Sequence, residues 1–265
     1  MIDIHHHLLW DLDDGATSVE TSLAMARMAA EDGITHIVCT PHANGQYDYM
    51  PEVIDAKIAE LERLLDEEKI ALKLGRGCDF HMSFDNIEQS QKDPARFSIN
   101  GSGYLLVEIP DYGIPAGLTE IFYQMQITGL TLILTHPERN RTLQADQSLL
   151  LDWLRGGVLV QVTAGSVVGR MGKRAEKMAH ELLENRWVNF LATDAHNTTS
   201  RPPLMREAFE AVAKRYGPDY AHLLCVSNPL AVFAGKPMPQ QPEPLNLYET
   251  TKEKSWWQRL IGRRG

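Results

Sequence analysis

Residues 1–15 read MIDIHHHLLWDLDDG. A short apolar start runs straight into three histidines, and Asp14 follows seven residues after His7. Side chains on a strand alternate with period two, so His5 and His7 share one face. His6 then points to the other face, where packing against helices is expected. If this strand carries a metal-binding face, later strands should end in ligands as well.

They do. Strand-like runs recur as HIVCT near residue 37, IALKLGRG near 72, YLLVEI near 106, LTLILT near 132, VLVQVT near 160 and VNFLAT near 190. Each has the length and branched content of a strand. Their spacing is about 30 residues, the size of a βα unit. Helix-like stretches at 18–32, 51–68, 116–128, 146–155, 173–185 and 202–215 fill most of the gaps. In the first, Thr17 with Glu20 three later forms a capping-box pattern and Gly33 is the expected stop. Seven nearly all-apolar strands alternating with helices predict an α/β protein, either a parallel barrel or an open sheet.

Imidazoles and carboxylates collect at the ends of these strands. CTPH gives His42, GCDF gives Asp79, VEIP gives Glu108, THPE gives His136, and ATDAH gives Asp194 and His196. With His5, His7 and Asp14 they make nine candidate ligands, all where βα barrels place their chemistry. Nine such groups suit two or three divalent ions, with manganese, iron or zinc matching the mixed donors. His81 lies two residues beyond Asp79, on the same strand face. His36, His180 and His222 are expected to be structural or solvated. Arg139 and Arg201 follow His136 and His196 closely, and guanidinium forks suit phosphoryl oxygens. Arg141 is a weaker candidate.

The 265 residues are 43% hydrophobic and 23% charged, ordinary for a globular protein. A net charge of -9 and a pI near 5.6 argue against nucleic acid as the main partner. The three cysteines, Cys39, Cys78 and Cys225, show no disulfide pattern. Cysteine-dependent phosphatases place an arginine six residues after the nucleophile, whereas the chain has Gly45, Phe84 and Ala231 there. No signal peptide or membrane-length apolar run is recognised, so the cytoplasm is the expected compartment. Residues 1–235 read as the α/β domain that carries the candidate ligands. Residues 236–265 read as a polar, proline-rich tail ending in SWWQRLIGRRG. As a helix, residues 255–264 would present Trp256, Trp257, Leu260 and Ile261 beside Arg259, Arg263 and Arg264. That patch suits either peripheral contact with the inner face of an anionic membrane or a partner groove.

The strand 1 H-x-H, the TPH ending and the late D-x-H resemble the polymerase and histidinol phosphatase superfamily. MIDIHHHLLWDLDDG, HPERN and TDAHNTTSRPP more closely resemble its bacterial tyrosine-phosphatase branch, of the CpsB and YwqE type, over residues 1–235. The resemblance implies a distorted (β/α)7 TIM-like barrel with a trinuclear metal centre. It implies one ion on His5, His7, Asp79 and Asp194, a second on Asp79, Glu108 and His136, and a third on Asp14, His42 and His196. Asp79 stands where the family usually has a longer glutamate. The implied activity is metal-dependent hydrolysis of phosphotyrosine on the tail of a membrane-associated tyrosine kinase that drives capsular or exopolysaccharide synthesis and export. The alternatives are a small-molecule phosphomonoesterase acting on a histidinol-phosphate-like ester, and a catalytically weak metal-binding regulatory module.

Overall fold

The computed structural model describes residues 1–110 and 113–248. Its strands are β1 (Ile2–His6), β2 (His36–Cys39), β3 (His42–Ala43), β4 (Lys73–Arg76), β5 (Asp79–His81), β6 (Tyr104–Glu108), β7 (Thr131–Thr135), β8 (Leu159–Thr163) and β9 (Phe190–Ala192). The helices are α1 (Val19–Glu31), α2 (Pro51–Glu67), α3 (Phe84–Lys92), α4 (Leu118–Ile127), α5 (Arg141–Ala145), α6 (Ser148–Arg155), α7 (Ala164–Val167), α8 (Lys173–Glu184), α9 (Arg206–Tyr216), α10 (Pro218–His222) and α11 (Asn228–Phe233).

Among the described residues nine strands stand where seven were expected, because the second and third are each split in two. Pro41 follows β2 and has no N–H to donate to the ladder. Gly77 follows β4, and a Cβ there would meet Val38 Cγ1 at 2.6 Å. The lower halves pair in the order β1-β2-β4, while the upper halves join β3-β5-β6-β7-β8-β9. All these pairings are parallel. The Asp194 N–H donates to the His5 carbonyl at 2.9 Å, and the His7 N–H to the Ala195 carbonyl at 3.0 Å. Those bonds tie the first strand to the segment after the last.

A bulge in β1 adjusts what faces inward. Three residue steps from Asp3 to His6 span two steps of β2, so the phase of alternation changes. Ile2 and Ile4 pack with Val38, Leu106, Ile133 and Phe190 in a small core, while His5 and His7 reach the rim above it. The larger core lies between the strands and the helices and includes Met25, Ile37, Phe122, Trp153 and Leu191.

Several helix starts fall later than expected, and in two of them the cap explains the shift. Ser18, not Thr17, caps α1, accepting a hydrogen bond from the Thr21 N–H. Gly33 ends that helix with φ +93° as expected. α9 starts at Arg206 rather than 202, since Pro202 and Pro203 disfavour the helix before it. Asp32 caps it from a distance, accepting from the Met205 and Arg206 N–H groups at 2.6 and 2.8 Å.

The polar stretch 236–248 lies against the fold. Trp187 donates its indole N–H to the Leu245 carbonyl, Arg155 Nε donates to the Leu247 carbonyl, and Leu247 is buried. The aromatic-basic segment 255–264 lies outside the described residues. Among the described residues, no helix is long and apolar enough to cross a membrane.

Candidate metal centre

All nine expected ligands meet at one end of the strands. Four overlapping groups have their ligand atoms within 4.8 Å of one another: His7, Asp14, His42 and His196; His42, Asp79, His81 and Glu108; His5, Asp79 and His136; and His5, His7 and Asp194. The third set implied by resemblance therefore comes together, with His7 added. Asp79 belongs to two groups. Its Oδ2 is 3.0 Å from His42 Nδ1 and 3.5 Å from His5 Nε2. Glu108 Oε1 is 3.5 Å from His136 Nε2, and its other oxygen is 2.5 Å from His81 Nε2.

His81 thus joins the cluster, and its signal was a spacing. Asp79 and His81 sit at i and i+2 on β5, as His5 and His7 do around the first strand. Asp13 is a residue that sequence reasoning passed over. Its Oδ2 accepts hydrogen bonds from His7 Nδ1 at 2.6 Å and from the His42 N–H at 3.0 Å. Gln161 of β8 plays the same part for His5, 3.0 Å from Nδ1, and the Asp194 carbonyl does so for His196 at 3.1 Å. An acceptor at Nδ1 places the proton there and leaves Nε2 with its lone pair toward the cluster. His6 is buried outside all four groups, and neither ring nitrogen has a hydrogen-bond partner. His36, His180 and His222 also stay outside, paired with Thr35, Tyr216 and Ser227.

The electrostatics pull neighbouring imidazoles in opposite directions. Burial would keep His5 neutral, but Asp194 and Asp79 lift it to about 9. His42 reaches about 11 against burial because of Asp14 and Asp79. Burial and Arg139 hold His136 well below its ordinary value, and burial with His7 takes His196 down to about 4. Burial and Asp79 push the Glu108 carboxyl up. Burial opposes ionisation of Asp79 and Asp194, yet His5 and its neighbours hold both well below the usual carboxylate range.

The close contacts do not satisfy this cluster. Both Asp79 oxygens, Glu108 Oε2 and His196 Nε2 are buried without a hydrogen bond of usable geometry. His5 Nε2 and His7 Nε2 face each other at 3.4 Å. A buried polar atom left unpaired costs roughly 1–3 kcal/mol, so inward lone pairs on this scale fit cations as their partners. Backbone strain adds to the picture: His136 and Asp194 have φ of 33° and 51°, a region non-glycine residues seldom adopt.

Arg139 and Arg201 both reach over the cluster and grip Asp194 Oδ2. With Tyr47, whose ring lies parallel to His42 (15° between planes) with centroids 6.1 Å apart, they border a cavity of about 290 Å³. Arg141 is not part of it. The three cysteines are buried and free and belong to none of the groups.

The sequence profile of the capsular polysaccharide synthesis family CpsB/CapC matches residues 1–234. A putative tyrosine-protein phosphatase CapC of Staphylococcus aureus is 34% identical over 79% of this chain and 82% of its own length. The tyrosine-protein phosphatase YwqE of Bacillus subtilis is 32% identical, covering 92% and 96%. Among solved structures, one from the pair YwqE of Bacillus subtilis and CpsB of Streptococcus pneumoniae, unique metal-dependent tyrosine phosphatases, superposes with a TM-score of 0.86. It is 32% identical, and the match covers 92% of this chain and 99% of that one.

Proposed function

The chain belongs to the CpsB/CapC family of capsular polysaccharide synthesis, and from that premise we propose that it is a metal-dependent protein-tyrosine phosphatase. The observation that carries the reading is the set of four overlapping histidine–carboxylate groups beneath two arginines. His5, His7, Asp14, His42, Asp79, Glu108, His136, Asp194 and His196, with His81, would hold two or three divalent ions of manganese, iron or zinc. When bound, such ions supply a hydroxide near neutral pH and positive charge for phosphoryl oxygens.

The chain's own residues do the rest. Arg139 and Arg201 bind the phosphoryl oxygens with directed N–H donors, and their cost of positioning is already met by Asp194. Asp13, Gln161 and the Asp194 carbonyl fix three imidazoles in orientation and tautomer. Tyr47 offers an aromatic wall to the ring of the leaving tyrosine. Asp14 sits at the mouth, half-exposed, where water enters and phosphate leaves. The buried thiols are pushed up by burial, which suits packing and not nucleophilic attack.

The substrate of this reading is the phosphotyrosine tail of a membrane-associated tyrosine kinase controlling capsular or exopolysaccharide synthesis, reached from the cytoplasmic face. The test compares a phosphotyrosine peptide with histidinol phosphate, with chelator and after manganese is restored. Chelator-sensitive turnover favouring the peptide is expected. Preference for histidinol phosphate would move the activity to small phosphomonoesters, and no turnover of either would leave a metal-binding regulatory module.

A further inference from the structure

Beside the metal cavity runs a second, strongly basic groove. Two adjoining cavities of about 640 and 370 Å³ lie between α5 and the start of α8. Arg141 and Arg174 border both, Lys173 borders the larger and Lys177 the smaller. All four are exposed, and none has a carboxylate within ion-pair distance among the described residues. Glu181 is the acidic residue on the border of the smaller cavity. Arg139 lines both the larger basic cavity and the metal cavity, so the two sites are continuous.

Folding does not explain these cations. Lys173 and Arg174 open the first turn of α8 ahead of that turn's one acidic residue, Glu176, where the helix dipole disfavours cations. That helix also starts without a side-chain cap. Like charges crowd a short stretch of a chain whose net charge is -9. A local rule broken without structural gain marks a functional surface.

We infer that this groove binds anionic residues of the substrate peptide that flank the phosphotyrosine held in the metal cavity. The inference rests on the phosphatase reading and deepens it. A peptide whose phosphotyrosine lies between Arg139 and Arg201 must leave the cavity past its rim, and Arg139 forms the wall shared with the groove. Aspartate, glutamate or a second phosphotyrosine would meet Arg141, Arg174 and Lys177 there. Arginine favours the phosphoryl group, through paired N–H donors. These contacts are exposed, so they select among peptides and weaken with salt.

The test uses the metal-replete full chain and the triple variant Arg141→Ala, Arg174→Ala, Lys177→Ala, which leaves the metal cavity untouched. Three phosphotyrosine peptides are compared: neutral flanks, acidic flanks, and a second phosphotyrosine. The variant should raise KM for the two anionic peptides roughly tenfold, about what three exposed charge contacts add up to, with kcat unchanged. KM for the neutral peptide should not move. The acidic and doubly phosphorylated peptides separate carboxylate from phosphoryl recognition. Equal KM changes on all three peptides, or none, would overturn the inference. So would loss of binding to phosphatidylserine vesicles with peptide kinetics intact, which would make the groove a membrane contact. If the wild-type chain turns over no peptide, the phosphatase reading fails separately, and anisotropy of the same labelled peptides still reports whether the groove binds them.

Discussion

Asp3 and Asp79 are both buried carboxylates, one below the rim of the strands and one on it. Asp3 accepts from the His5 N–H at 3.3 Å, the Thr193 N–H at 3.0 Å and the Thr193 hydroxyl. Asp79 accepts nothing with usable geometry and faces imidazole nitrogens. Burial pushes Asp3 up to about 6, whereas imidazoles hold Asp79 well below its ordinary value against burial. The same residue type is therefore a structural clasp where protons meet it and a ligand where lone pairs surround it. Below the rim the chain satisfies itself; on the rim it leaves donors waiting.

Substituting each aspartate should break the comparison in opposite ways. Asp79→Asn should cut phosphotyrosine hydrolysis about a thousandfold or more, since a shared ligand is lost. Hydrolysis within about tenfold of the wild type would show that Asp79 is not a shared ligand. Asp3→Ala should instead destabilise the chain by about 3 kcal/mol in denaturant titration, having left buried N–H donors unpaired. An unchanged midpoint would dissolve the contrast.

The pH dependence sharpens it. A carboxyl raised from 3.8 to about 6 on folding binds its proton more tightly in the native state. Stability from this group is then greatest at low pH and falls as pH rises from about 4 to about 6. The stability difference between wild type and Asp3→Asn should therefore shift by on the order of 3 kcal/mol across that window, and then level off. A flat difference would mean that Asp3 is not perturbed by its burial.

Smaller effects should follow from the residues that orient ligands. Asp13→Asn should weaken metal affinity about 10- to 100-fold with little change in melting temperature in chelator, read by competition with a chromogenic chelator. Unaltered affinity would make Asp13 a loop clasp through the Gly15 and His42 N–H groups. Tyr47→Ala should raise KM for a phosphotyrosine peptide a few-fold, on the order of one lost aromatic contact, and leave kcat in place.

Much of this was legible in the sequence because strands are one-dimensional. A ligand two residues from another lies on the same face, and a ligand at a strand end lies on the rim, so nine positions could be placed without coordinates. His81 follows the same rule, two residues beyond Asp79, and its closeness to Glu108 is set by the neighbouring strand. The split at Gly77 depends on Val38 approaching from a neighbouring strand, which no local pattern records. Likewise, which ligands share a group depends on distances between strands: Glu108 lies 2.5 Å from His81 Nε2 and 3.5 Å from His136 Nε2. α3 went unread because it buries only Ser90 and so shows no apolar stripe. The cap at Ser18 in place of Thr17 is a one-residue matter, decided by which hydroxyl reaches the Thr21 N–H.

The most direct test of the central claim is elemental analysis of the purified chain beside Asp79→Asn. The account predicts two or three divalent ions per wild-type chain and fewer in the variant, with hydrolysis lost in step. A wild-type chain that is active with fewer than one ion per molecule, or a variant that binds as many ions as the wild type, would contradict it.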